Sequence, residues 1–130
     1  MKHTQQVIIL SAELSNRVYV TNRQATNRLD QLLREADIVY NIGQGCYKGE
    51  KEVSFVCLPK NQKEVDTLKH FAFNLFNQES ILYQDSNGQA YLEYSDGVSV
   101  TLGKLRQVNF DKIDQLEAYT ILNGAVYAVM

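Results

Sequence analysis

The stretch IVYNIGQGCYKGEKEVSFVC, residues 38–57, constrains this chain more than any other. It opens apolar, breaks at Gly43, Gly45 and Gly49, and closes on a run that alternates sides. Successive side chains of a strand point to opposite faces, so Val53, Phe55 and Cys57 share one face and Glu52, Ser54 and Val56 the other. With the Val53 row turned to a core, Glu52 and Ser54 stand on the second face of the same sheet. Tyr47 falls in the glycine-broken turn ahead of them. A carboxylate, a hydroxyl and a phenol beside a flexible loop mark a candidate pocket for a polar small molecule. Glu and Ser on a solvated strand face need no function, and glycines between strands are ordinary turn residues. The pattern therefore names a place, not yet an activity.

The flanking segments supply the rest of a fold. Residues 7–12, VIILSA, are continuously apolar and read as a central strand buried on both faces. Thr21 with Gln24 three residues on has capping-box spacing, and Ala25, Leu29, Leu32, Leu33 and Ala36 form one apolar stripe, which predicts a helix over 22–36. Strands follow at about 38–42 and 51–58, with the glycine loop between them. Asn61, with Glu64 behind it, caps a second helix whose buried stripe is Val65, Leu68, Phe71, Ala72, Leu75 and Phe76. Alternating runs at 81–83, 90–94 and 98–102 are further strands, and Asn123-Gly124 predicts a two-residue hairpin joining 119–122 to 125–130. Strand, helix, strand, strand, helix, strand is the order of an α+β, ferredoxin-like fold. Such a fold has an antiparallel sheet with two helices on one face, extended here by C-terminal strands. An open second face with this much apolar surface meets a partner, which predicts a homo-oligomer with Glu52 and Ser54 near a subunit boundary.

Bulk properties exclude several classes. The 130 residues fit one domain over 1–130, and a net charge of −2 gives no electrostatic footprint for nucleic acid or an anionic membrane. No apolar run approaches a membrane span, and MKHTQQV lacks the layout of a signal peptide. Cys46 and Cys57 are too few for a disulfide framework, so a reduced, cytoplasmic setting is expected. Lys48-Gly49 begins like the third-strand signature of RNA-recognition domains, but Glu50 and Glu52 occupy the positions where aromatic rings would stack on bases. Gly43-Gln-Gly45 precedes a strand rather than a helix, so it lacks the N-terminal dipole that holds a phosphate. There is no nucleophile elbow, and His70 has no second His or Cys placed to share a metal. An enzyme of this sequence would use no metal or cofactor and would work by positioning and electrostatics.

Taken in order, VIILSA with Ser15-Asn16, Gly45-Cys46-Tyr47-Lys48, Glu52 leading a strand, the helix at 62–76, Gly-Gln-Ala-Tyr-Leu-Glu-Tyr, Leu102-Gly103 and the final Tyr-Thr-Ile hairpin resemble one family. It is that of the small bacteriophage S-adenosylmethionine-degrading enzymes, described as hydrolases and as lyases, which act against host restriction. The resemblance implies a PII-like homotrimer with sites between subunits. It also implies cleavage of S-adenosylmethionine to 5′-methylthioadenosine and homoserine lactone, or to homoserine if water intervenes. A glutamate at the position of Glu52 holds the substrate in that family, with nearby tyrosines contributing. On this reading Glu52 accepts from the ribose hydroxyls, Tyr40 or Tyr47 packs on adenine or faces the sulfonium, Ser11 bonds the amino-acid end, and Ser54 lies beside them. Two other readings share parts of the pattern: a non-catalytic PII- or ACT-like nucleotide sensor, and an anti-restriction inhibitor acting by protein contact.

Overall fold

The computed structural model describes residues 5–14, 16–47, 49–116 and 118–129, apart from the side chains of Tyr47 and Asp114. The chain runs β1 (Val7–Leu10), α1 (Tyr19–Glu35), β2 (Val39–Tyr47), β3 (Glu50–Leu58) and α2 (Gln62–His70), which continues in a π-helical turn over Phe71–Leu75. Then come β4 (Ser80–Gln84), β5 (Ala90–Tyr94), β6 (Ser99–Thr101), β7 (Leu105–Val108), a 3₁₀ turn (Phe110–Gln115), β8 (Ala118–Leu122) and β9 (Ala125–Val129). All nine strands form one sheet in the order β6-β5-β4-β1-β3-β2-β8-β9-β7, and every neighbouring pair is antiparallel.

The period-2 pattern decides which face is the core. Ile8 and Leu10 of β1, Phe55 and Cys57 of β3 and Ile81 of β4 pack with Leu29 and Leu33 of α1 and Val65 and Leu68 of α2. Phe55, Ile8, Leu29, Leu33 and Leu68 are fully buried there. Asn61 caps α2 as expected, its side chain accepting from the Glu64 N–H at 2.9 Å. Replacing it by Ala should lower the unfolding free energy by about 1 kcal/mol, read from the urea midpoint. An unchanged midpoint would show that the cap contributes nothing. The first helix departs from its expected start. It begins at Tyr19, and Asn22 uses its side chain to bond both the N–H and the C=O of Leu14, at 2.9 Å each.

The second face is not left open. Val7 and Ile9 of β1, Val56 of β3, Thr120 and Leu122 of β8, Tyr127 of β9 and Leu105 of β7 line one apolar cavity of about 150 Å³. In a flat sheet β1 and β7, five strand steps apart, would be separated by roughly 24 Å. Their meeting around so small a space means that the sheet is curled into a half-barrel, the accumulated result of strand twist.

The ferredoxin-like, PII-like architecture expected from the element order is thereby corrected. The molecule is a nine-stranded antiparallel half-barrel with two short helices. The reason lies at both margins of the central strands. The outer edge of β2 pairs with β8, residues 44–47 against 118–121, and the outer edge of β4 pairs with β5. The C-terminal hairpin extends the sheet, as expected, and does so from the edge of β2. That hairpin turns through Asn123 and Gly124, both with positive φ (52° and 79°), as the Asn-Gly pair requires. Among the described residues, no helix is long and apolar enough to cross a membrane.

Candidate active site at the free edge of the third strand

The glycines first read as a loop lie inside β2, which pairs with β3 without interruption from Val39↔Leu58 to Tyr47↔Glu50. The turn itself is short and includes Gly49, at φ 84°. Crowding explains the glycines. A Cβ on Gly43 would stand 2.6 Å from the carbonyl oxygen of Ile121 on β8, and one on Gly45 would collide with the Ser54 hydroxyl. Both positions are small because neighbouring strands approach them closely.

Ser54 fills the space that Gly45 leaves and is 3 % exposed. Glu52 pairs with Gly45 across the ladder, on the same face as Ser54. β1 stops pairing with β3 at Leu10↔Phe55, and the chain then bends away through buried Ser11. Ahead of Phe55, the edge of β3 that faced β1 is free, and unpaired strand N–H groups need partners. Glu13 supplies one: its carboxylate accepts from the Val53 N–H at 2.5 Å. Glu13 is itself fixed at both ends of its backbone. Its N–H donates to the Ser11 hydroxyl at 3.0 Å, and its C=O accepts from the side-chain amide of Gln78 at 3.0 Å.

This arrangement brings two carboxyl groups to one place. Glu52 has its pKa pushed up to about 7, first by burial and then by the Glu13 carboxylate, with Glu50 adding to the effect. Hydrogen bonding from the Ser11 hydroxyl pulls the other way. Glu13, Gly43, Gln44, Lys51, Glu52 and Val53 line an open depression of about 340 Å³. That is the lower end of the size range for small-molecule sites. A depression lined by two acidic side chains and one lysine suits a ligand that carries positive charge and offers hydroxyl donors. Among the described residues, no group of three His, Cys, Asp or Glu side chains is placed to hold a metal ion.

Of the residues named from the sequence, Ser11, Glu52 and Ser54 are therefore neighbours on one face. Tyr40 is not with them. It pairs with Cys57 on the helix-bearing face, packs its ring on Phe55 (centroids 5.9 Å apart) and donates its hydroxyl to the Asp30 carboxylate of α1. Burial and that acidic partner both raise the pKa of its phenol. The backbone of Tyr47 pairs with Glu50 and with Ala118, while its side chain lies outside the described residues. Glu13 was not named from the sequence. The available signal was its spacing, two residues beyond Ser11 in a segment leaving a strand, which returns it to the same side. What the spacing could not show is that β1 ends there and leaves a strand edge to cap.

No curated protein matches the chain. A family model, however, matches residues 8–130, from the second residue of β1 through β9, together with Ser11, Glu13, Glu52 and Ser54. This chain belongs to the S-adenosylmethionine lyase family.

Proposed function

We propose that the protein cleaves S-adenosylmethionine to 5′-methylthioadenosine and homoserine lactone, with Glu52 as the residue that holds the substrate. The observation that carries this reading is the half-buried Glu52 carboxyl at the depression, with its pKa at about 7 beside Glu13. S-adenosylmethionine is a net cation with a ribose diol. The Glu52 carboxylate, once ionised, accepts from the two ribose hydroxyls, while Ser54 and Ser11 fix the carboxylate's surroundings. The reaction then needs no protein nucleophile. The substrate's own carboxylate oxygen bonds to its γ-carbon as the γ-carbon–sulfur bond breaks, and the electron pair leaves on sulfur. A monocation becomes neutral methylthioadenosine and the ammonium form of the lactone, so no proton is gained or lost. Holding the reacting atoms in line contributes up to about 10 kcal/mol in the best intramolecular cases.

An open depression covers too little of a ligand this size, since such sites usually enclose most of their ligand. We infer that a neighbouring subunit closes it in a homotrimer, in a cytoplasmic setting where Cys46 and Cys57 remain the buried free thiols they are here. Light scattering should give three chains per particle, and a monomer would remove the shared-site part of the proposal.

The test is product analysis by liquid chromatography with mass detection. Methylthioadenosine with early homoserine lactone is the expected result. Homoserine with no early lactone would mean attack by water instead. Unchanged substrate with saturable binding would make the protein a sensor and overturn the enzyme reading. Because the ionised Glu52 is the form that binds, kcat/KM should rise with pH through about 7 and then level off. A profile flat from pH 5.5 to 8.5 would contradict that role.

A further inference from the structure

Glu13 lies outside the roles just given, yet the geometry fixes it more firmly than any other acidic residue at the depression. Three hydrogen bonds hold it: N–H to Ser11, C=O from Gln78, and carboxylate from Val53 N–H. The first and third tie it to the two elements that carry Ser11 and Glu52. Capping a strand edge needs only an acceptor, and an amide oxygen, though weaker than a carboxylate, is one. Placing a second negative charge next to Glu52 raises the free energy of the empty site, so the charge calls for an explanation that the cap alone does not give.

Resting on the reading of this depression as the S-adenosylmethionine site, we propose that Glu13 is a positioning and charge-selecting residue. It fixes the start of β3, and with Glu52 it forms a carboxylate pair that admits a sulfonium or ammonium ligand and discriminates against the uncharged thioether of the same shape. The charged groups acting on Glu52 among the described residues are Glu13 from the segment after β1 and Glu50 of β3, and Lys51 of β3 lines the same depression. From β2 the depression receives only Gly43 and Gln44, which are uncharged. The positive charge of an incoming ligand relieves the repulsion between the two carboxylates, and a neutral thioether leaves it in place. Product methylthioadenosine is such a thioether, so the same pair favours its departure.

The experiment compares, by calorimetry on the whole protein, two unreactive ligands: S-adenosylhomocysteine, and the analogue in which an amine-bearing carbon replaces the sulfonium. The wild type should prefer the amine analogue by roughly tenfold at pH 8. Glu13→Gln keeps an oxygen for the Val53 N–H and removes the charge. It should fold with a urea midpoint no lower than that of the wild type, since the repulsion with Glu52 is relieved, lose most of the preference, and shift the pH midpoint of binding down. Glu13→Asp keeps the charge on a shorter arm. It should unfold at lower urea and retain the preference, and it serves as the test should Glu13→Gln fail to fold. An unaltered preference and midpoint in Glu13→Gln, or a lost preference in Glu13→Asp, would overturn the proposal. Loss of binding in Glu52→Gln alongside an unaltered Glu13→Gln would leave the site reading standing and remove only the role of Glu13. Absence of binding to wild type would remove both.

Discussion

Glu52→Gln is expected to lose at least roughly a hundredfold in kcat/KM while becoming more stable than the wild type above pH 7. The two effects have one origin. Folded, the Glu52 carboxyl titrates at about 7, against 4.5 for an unperturbed glutamate. As pH rises from 4.5 to 7, the unfolded chain gives up this proton before the folded chain does. Stability therefore falls across that window and stays lower above it. A neutral amide removes the penalty. Allowing for solvent screening of a partly exposed group, the gain is about 1–2 kcal/mol at pH 8 and close to zero at pH 4.5. Thermal melts of both proteins at the two pH values, beside their rates of methylthioadenosine release, read this directly. A variant that is slow but no more stable at pH 8 would show that Glu52 is not held at a raised pKa. One that is more stable yet fully active would take the residue out of substrate binding.

The second large effect is expected at Gly45. An added methyl would run into the Ser54 hydroxyl inside a tight antiparallel ladder, and overpacking of this kind costs about 1–3 kcal/mol. Gly45→Ala should lower the melting temperature and, by moving Ser54 and the adjoining Glu52, depress activity as well. Ser54→Ala removes the colliding atom and leaves the Ser54 Cβ at an ordinary contact distance of 3.5 Å. The double variant should recover most of the lost stability, with a coupling energy of about 1 kcal/mol or more in a double-mutant cycle. Additive losses would mean that Gly45 is required for another reason.

How far the sequence speaks for itself can be judged residue by residue. The alternation over 52–57 put Glu52 and Ser54 on the face away from Phe55 and Cys57, because a two-residue period is a local property of the backbone and survives any tertiary context. The Asn61 cap and the Asn123-Gly124 turn were legible for the same reason. Gly43 and Gly45 were not. Glycine marks either a turn or a crowded strand, and the crowding here comes from Ser54 and from Ile121 on the distant β8. Tyr40 and Tyr47 read from the sequence as alternatives for the adenine or the sulfonium, but the place of Tyr40 opposite Cys57 on β2 sends it to the helix side and to Asp30. The half-barrel escaped for a related cause. β7, Leu-Arg-Gln-Val, lies in the connection over 104–118, to which the sequence assigns no element, and nothing local shows that β2 has an edge waiting for β8.

The strand order also sets a timetable. The outer edge of β2 stays bare until the ribosome has released residues 118–121, and β7, made earlier, joins the sheet only when β9, residues 125–129, has followed. Until then the nascent chain carries an exposed strand edge and an uncovered apolar face, the two features that recruit chaperones or lead to aggregation. Pairings this remote in sequence also form slowly. The hairpin of β8 and β9 is thus the element that closes the half-barrel.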